Sequence, residues 1–353
     1  MKRHFNYPLF FLIVFLVGFS FFFLACLSAP SSLQRFGNTY YFLFHQIYSG
    51  LIPGIILGFL AYKISLPFLK KIAPILFLSN LALLFLVFLP GIGASGGGAS
   101  RWLNLGFGSF QPSEFLKVTA ILYLSAWIAS KLEETSTSDW KAITKTGYHN
   151  VIYILIPFIV FLGLISVALI LQSDISTLGI IGATALVVYF SAKTPFWHTL
   201  ALLLSGTVAV FLLIKFEPYR LDRLLTFLNP SADPLGKGLQ LRQSLISMGS
   251  GGVFGKGLGM SAEKFILPNP MSDSIFAIIG EETGALGCMA LIVLFVLLFW
   301  LGIKIFKNSN DRFSKMTAVG IVFWITFQAF INISSVIGIF PLAGIPLPFF
   351  SYG

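Results

Sequence analysis

Charge is what this chain has least of. Asp, Glu, Lys and Arg make up 10% of its 353 residues, where soluble domains carry about 25%. A pair of ordinary soluble domains is thereby excluded. Acidic residues are scarcest, 13 against 23 Lys and Arg, for a formal net charge of +10. Such an excess can signal nucleic acid, but the basic residues do not gather in one solvated stripe, and no nucleic-acid partner is expected. The only cysteines, Cys26 and Cys288, both lie in apolar runs. That rules out a disulfide-rich secreted scaffold and reads as two small buried hydrophobes. The first apolar run is too long for a signal peptide and offers no small-residue cleavage site. No internal repeat is clear enough to support an inverted-repeat transporter.

What is present is apolar surface, 56% of the residues. A bilayer crossing takes about 20 consecutive apolar residues, and nine such stretches can be placed. They run from about Tyr7 to Leu27, His45 to Tyr62, Ile72 to Pro90, Pro112 to Ser130, Val151 to Leu171, Ile175 to Ala192, His198 to Phe216, Gly284 to Phe306 and Thr317 to Phe340. The expectation is an all-α polytopic protein forming a single integral membrane domain over 1–353. Lys and Arg favour the short connections on the N-terminal side, including Lys63, Lys70, Lys71, Lys131, Lys141, Lys145, Lys193, Lys307, Arg312 and Lys315. The opposite short connections hold little beyond Arg35 and Arg101, so the N-terminus is expected in the cytoplasm. The final Gly/Pro-rich segment again falls outside, which suggests that a tenth span returning inward is missing.

Residues 217–283, between the seventh and eighth spans, form the one long polar stretch, expected as a large extracytoplasmic loop. Loops of this length with little hydrophobic periodicity are uncommon and usually functional. Its cations are Arg220, Arg223, Lys237, Arg242, Lys256 and Lys264. Gly249, Gly251, Gly252, Gly255, Gly257 and Gly259 would let backbone approach a ligand. Cations and exposed N–H groups together suit a diphosphate; contact with anionic lipid heads is the alternative. Asp273 stands alone in Met-Ser-Asp-Ser-Ile-Phe-Ala, next to an apolar segment re-entering the membrane, where a carboxylate can serve as general base. Glu281 and Glu282 read as residues opening the eighth span, favoured there by the helix dipole.

Two further groups lie near the outer side. Pro112, Ser113 and Glu114 mark a helix start, and Glu114 and Lys117, three apart on one face, can pair. Such a pair either lets two charges tolerate the membrane edge or organises a polar cavity. Arg101 beside Trp102 is an interfacial anchor or a phosphate ligand. Asp174, in the short Gln172-Ser173-Asp174 connection, reads first as the N-cap of the sixth span.

These residues also carry a resemblance. Ser100-Arg101-Trp102, Gln111-Pro112-Ser113-Glu114-Phe115-Leu116-Lys117, Gln243-Ser244-Leu245 leading to Gly249-Ser250-Gly251-Gly252, and Gly255-Lys256-Gly257-Leu258-Gly259 follow in order. Ser272-Asp273, Glu281-Glu282-Thr283-Gly284, Asn332 and Pro346-Leu347-Pro348-Phe349 complete the series. Over nearly its whole length the chain resembles the shape, elongation, division and sporulation (SEDS) family. Ser28 to Ser32, Tyr41-Phe42-Leu43 and Gln46 tilt it towards the division branch. It departs where the family's Gln-Pro-Asp-Leu-Gly reads Gln172-Ser173-Asp174-Ile175-Ser176. The usual Thr-Asp-Phe reads Ser272-Asp273-Ser274, and the frequent Leu-Pro-Glu reads Leu267-Pro268-Asn269.

The resemblance implies a peptidoglycan glycosyltransferase of about ten transmembrane helices, nine covered here, in the bacterial cytoplasmic (inner) membrane. Its substrate would be lipid II, and undecaprenyl diphosphate would leave. The implied partners are a class B penicillin-binding protein, other divisome proteins and membrane lipid. A divalent cation, Mg or Mn, is implied, with no organic cofactor. The family's essential aspartate falls on Asp273 as catalytic base. Substrate binding falls on Arg101, Glu114, Lys117, Arg242, Gln243, Ser244, Lys256 and Ser272. A lipid II flippase, an elongation-type polymerase and a non-catalytic scaffold are the rival readings.

Overall fold

The computed structural model describes residues 5–96, 99–104, 108–134, 154–192, 194, 197–198, 200–207, 225–229 and 238–352. Arg220, Arg223 and Lys237 of the polar loop, Lys141, Lys145 and Lys193, and most of the expected seventh span lie outside the described residues. Among those described, five helical runs are long and apolar enough to cross a membrane: Tyr7–Phe36, Tyr41–Lys63, Leu66–Leu86, Ile275–Asn308 and Arg312–Val336. Two shorter apolar helices, Ile156–Leu171 and Ile175–Ser191, fall on the expected fifth and sixth spans. Pro112–Glu134 takes the place of the fourth. This is an all-α, multi-pass membrane protein. In a bilayer the backbone must bond to itself, which is why apolar stretches of this length are helices and nothing else.

Among the described residues, the helices used below are α1 (Tyr7–Phe36), α2 (Tyr41–Gln46), α3 (Ile52–Lys63), α4 (Leu66–Leu86), α5 (Pro112–Glu134), α6 (Ile156–Leu171), α7 (Ile175–Ser191), α8 (Leu239–Gly251), α9 (Ile275–Asn308) and α10 (Arg312–Val336). A π-helical turn, Ile47–Leu51, joins α2 to α3. The start of α1 is set by Asn6, whose side chain accepts from the Leu9 amide at 3.1 Å, and its end by Gly37 in the left-handed conformation. Pro30 and Pro74 lie inside α1 and α4, as membrane helices tolerate.

The chain divides into two compact units. One comprises residues 61–207 and 303–324. Its core joins Phe77, Leu84, Leu116, Leu124, Phe158, Phe161, Val188 and Val319. A side chain at Gly320 would lie 2.6 Å from Ile121 Cγ2 and 2.9 Å from Val188 Cγ2, so glycine sets how closely α10 packs here. This unit also holds a small antiparallel sheet, β1 (Gly93–Gly96), β2 (Ala99–Asn104) and β3 (Ser109–Phe110), pairing Ala94 with Trp102 and Leu103 with Phe110. Nothing in the helical pattern of the residues pointed to it.

The other unit comprises residues 1–60, 208–302 and 325–353. Its core joins Leu16, Phe23, Leu27, Phe276, Ile279, Leu291, Phe295, Ile333, Leu347 and Phe350. Packing of this kind within a bilayer draws on close van der Waals contact more than on exclusion of water. The polar stretch contains the 13-residue α8. A helix already starts at Ile275, ahead of the expected eighth span, and Gly284, at φ 70° and ψ −170°, separates it from the helix that follows. The apolar run Ile275 to Ile279 before the two glutamates, all buried, already supplies the first helical turns.

Candidate functional site

In the second unit the site is built around the turn that ends at Ser274. Asp273 is seated there from two sides. From α8, Gln240 Nε2 donates to Asp273 Oδ2 at 3.2 Å and to Ser274 Oγ at 3.0 Å. From α10, Asn332 Nδ2 donates to the Asp273 carbonyl at 2.8 Å and to the Ile345 carbonyl at 2.7 Å. The C-terminal segment closes the turn: Ser351 Oγ donates to the Ser272 carbonyl and the Tyr352 amide to that of Met271. Gly344 lies beside the carboxylate, since a Cβ there would sit 4.0 Å from Asp273 Oδ2.

Helix α8 reaches this turn because one face is small and polar. Leu241, Ser244, Ser247 and Gly251 are its buried residues. Ser247 Oγ reaches the Ala277 carbonyl at 3.1 Å. At Gly251 any Cβ would fall 2.1 Å from the Gly280 carbonyl oxygen. Of the predicted binding residues on this helix, Arg242 is exposed and Gln243 half-buried. Ser244 is buried and spends its hydroxyl on the Gln240 carbonyl.

The glycine-rich stretch does not serve as expected. Its backbone pairs with α9 on both sides of the Gly284 break: the Lys256 and Gly257 amides donate to the Glu281 and Glu282 carbonyls. The Ala285 and Leu286 amides in turn donate to those of Gly252 and Val253. A Cβ at Gly255 would lie 2.2 Å from the Glu282 carbonyl oxygen. Glycine there permits approach to a helix of the same chain. Lys256, assigned by sequence to a diphosphate, bonds Glu281 Oε1 at 2.7 Å.

Glu281 is a further correction. It is fully buried and accepts from Ser247 Oγ, Lys256 Nζ, Ser261 Oγ and the amides of Ala262 and Glu263. It therefore gathers α8 and residues 256–263 onto α9 and caps nothing. Glu282 is buried beside it. Lys264 is buried too, its ammonium bonded to the Gly259 carbonyl at 2.6 Å.

The unit containing α5 holds the other predicted residues. Helix α5 begins at Pro112 as expected, and Glu114 pairs with Lys117 at 2.8 Å. Lys117 is 2% exposed against 39% for Glu114. Its ammonium stands 5.4 Å from the Trp324 ring centre, facing a cleft otherwise lined by residues such as Ile121, Phe161, Ile181 and Val188. Asp174 caps α7 by accepting from the Thr177 amide at 3.3 Å, and takes the Ser113 hydroxyl at 3.1 Å. Arg101, on β2, donates to the Gln172 carbonyl at 3.2 Å and to that of Ser173. It thus braces the connection where Ser173 has φ 54°. Both cysteines are free; Cys288 is buried as expected, whereas Cys26 is only half-buried.

Sequence reasoning missed Gln240 and the role of Glu281. Both act on residues 33 and 25 positions away, and the local pattern around each is that of an ordinary helix.

The family model described as Cell cycle protein, FTSW_RODA_SPOVE, matches residues 7–353. A probable peptidoglycan glycosyltransferase FtsW of Coxiella burnetii (strain RSA 493 / Nine Mile phase I) is 38% identical over 334 residues, which cover 93% of this chain and 86% of that one. Stage V sporulation protein E of Bacillus subtilis (strain 168) is 35% identical over 328 residues, covering 92% and 86%. Among solved structures, a chain from a study of how a peptidoglycan synthase complex coordinates polymerization and crosslinking superposes with a TM-score of 0.78. It is 24% identical, with 99% and 92% of the chains covered. The rod shape determining protein RodA of Thermus thermophilus gives a TM-score of 0.69 at 22% identity, covering 100% and 91%. At such identities the two structures support the fold alone.

Proposed function

The chain belongs to the cell cycle protein family of FtsW, RodA and SpoVE, and on that premise we propose that it is an inverting peptidoglycan glycosyltransferase that polymerises lipid II in septal cell-wall synthesis. Asp273 takes the proton of the acceptor sugar hydroxyl. That oxygen bonds to the anomeric carbon of the donor from the face opposite the lipid diphosphate. The old carbon–oxygen bond breaks, and its electrons leave with undecaprenyl diphosphate. Base catalysis contributes about 10²–10⁴-fold, so positioning and neutralisation of the diphosphate supply much of the remainder.

The observation that supports this reading is the seat of Asp273, whose turn is held by α8, α10 and the C-terminal segment together. A base must hold one position while a proton moves. Among the cations assigned to the diphosphate, Arg242 is exposed, whereas Lys256 and Arg101 are also structural braces.

Among the described residues, no three His, Cys, Asp or Glu side chains gather into a metal site. An all-protein cage for Mg or Mn does not fit them, and no step here is routed through a metal. A divalent cation would arrive with the substrate's diphosphate, as Mg commonly does. The bacterial cytoplasmic membrane, a cytoplasmic N-terminus and a class B penicillin-binding protein partner belong to the same reading.

The test is polymerisation of labelled lipid II by the purified full chain, alone and with its transpeptidase partner. Glycan strands are expected from the wild type, and at least about 10²-fold fewer from Asp273→Asn. Normal polymer yield from Asp273→Asn at matched expression and partner occupancy would remove Asp273 as the base. Transport of lipid II with no polymer from the wild type would replace the enzyme by a flippase.

A further inference from the structure

Gln240 reaches Asp273 across 33 residues of sequence, and the way its amide is oriented gives it a task. Ser274 is fully buried, and its hydroxyl donates to the Pro268 carbonyl at 3.1 Å. With its proton committed, that oxygen can only accept, so the group facing it at 3.0 Å must be the Gln240 NH₂ and not its carbonyl. The second hydrogen of the same NH₂ then points to Asp273 Oδ2 at 3.2 Å. The Gln240 backbone is fixed as well. Its carbonyl takes the Ser244 hydroxyl at 2.8 Å, and α8 is tied to α9 through Ser247, bonded to the Ala277 carbonyl and to Glu281. The chain of contacts therefore runs from a buried carboxylate in α9, through α8, to one oxygen of Asp273.

We propose that Gln240 is a positioning residue for the glycosyl transfer: it holds Asp273 Oδ2 through one N–H while Ser274 holds its other N–H, so that the Asp273 carboxylate keeps a single orientation towards the acceptor hydroxyl. The proposal rests on the reading of Asp273 as the base. It also gives Ser274 a role, because a residue without a hydroxyl at that position leaves the Gln240 amide free to turn over. Misplacing a reacting group by about 1 Å can cost about 10²-fold in rate, and a loss confined to orientation falls on kcat and leaves KM in place.

The experiment uses the full chain with its transpeptidase partner and labelled lipid II. Gln240→Met keeps the length of the side chain and removes the donor. Gln240→Glu keeps its shape and puts an acceptor against Oδ2. Both are expected to lower kcat by about 10- to 100-fold with KM within about 2-fold of wild type, at an unchanged thermal midpoint. In the Asp273→Asn background, Gln240→Met should cost almost nothing more, because the two act as one unit.

Wild-type kcat in both Gln240 variants, beside an inactive Asp273→Asn, would overturn the proposal and leave the base intact. A loss carried by KM would make Gln240 a substrate ligand. Failure of both variants to fold would make it a structural residue. Full activity of Asp273→Asn would instead sink the reading on which the proposal rests.

Discussion

Lys256 Nζ lies 2.7 Å from Glu281 Oε1, and the two side chains differ in burial, 39% exposed for the lysine and 0% for the glutamate. The carboxylate is the member that cannot be spared. It is out of water and is satisfied by five donors from α8 and residues 256–263, whereas the ammonium can turn to solvent. Loss of the carboxylate orphans all five donors at once, whereas loss of the ammonium leaves the carboxylate four of them.

Truncation should therefore be asymmetric. Glu281→Ala is expected to destabilise the detergent-solubilised protein by about 3–5 kcal/mol, since each buried donor left unsatisfied costs about 1–3 kcal/mol. Lys256→Ala should cost about 1 kcal/mol, since four donors to the carboxylate remain. Thermal unfolding of both variants checks this, and equal losses would refute the assignment of Glu281 as the organising group.

The glycines should separate into two classes. Gly251→Ala and Gly255→Ala would place a Cβ 2.1 Å and 2.2 Å from carbonyl oxygens of α9, and Gly255 also has φ 81°. Gly249 lies inside α8 with nothing within 4 Å of its Cβ position. Gly249→Ala should hold or raise the melting temperature, by up to about 1 kcal/mol of helix propensity. The other two should cost well over about 1 kcal/mol each and expose the amides of 255–257 to hydrogen exchange.

On α5, Glu114→Ala takes the carboxylate at 2.8 Å from a Lys117 ammonium that is buried. A loss of about 3 kcal/mol is expected. Glu114→Ala/Lys117→Ala should recover part of it, giving a coupling energy of about 1 kcal/mol or more in a double-mutant cycle. A double variant as unstable as the sum of the singles would mean that the pair contributes nothing.

Orientation can be read with single cysteines in a Cys26→Ser/Cys288→Ala background. Met260 is 70% exposed and serves better than its neighbour Ser261, whose hydroxyl is buried against Glu281. Met260→Cys should react with a membrane-impermeant thiol reagent in intact cells. Asn310→Cys, between α9 and α10, should react only after permeabilisation. Reversed labelling would overturn both the orientation and the extracytoplasmic placement of Asp273.

Much of this was legible wherever the physics is local. Pro112 beginning α5, the Glu114–Lys117 pair and the Asp174 cap each depend on residues three or four apart, and helical periodicity exposes such neighbours directly. The apolar runs announced the membrane helices for a similar reason, since length and composition alone decide them. Gln240 and Glu281 were hidden because their partners depend on the path of the chain between α8 and α9. A glutamate near the start of an apolar helix looks like a favourable dipole contact until the loop is seen to fold over it. The glycines misled in the opposite direction. Their freedom to let backbone come close was correctly read, but what comes close is α9.

The Gly284 break has one more consequence. Because the strip from Gly252 to Gly257 bonds to α9 on either side of that break, the polar stretch and the transmembrane helix are interlocked at a shared joint. Its backbone bonds form with any sequence, so a chimera that exchanges residues 239–262 is expected to keep the joint wherever its parents supply glycine at 251 and 255 and a carboxylate at 281.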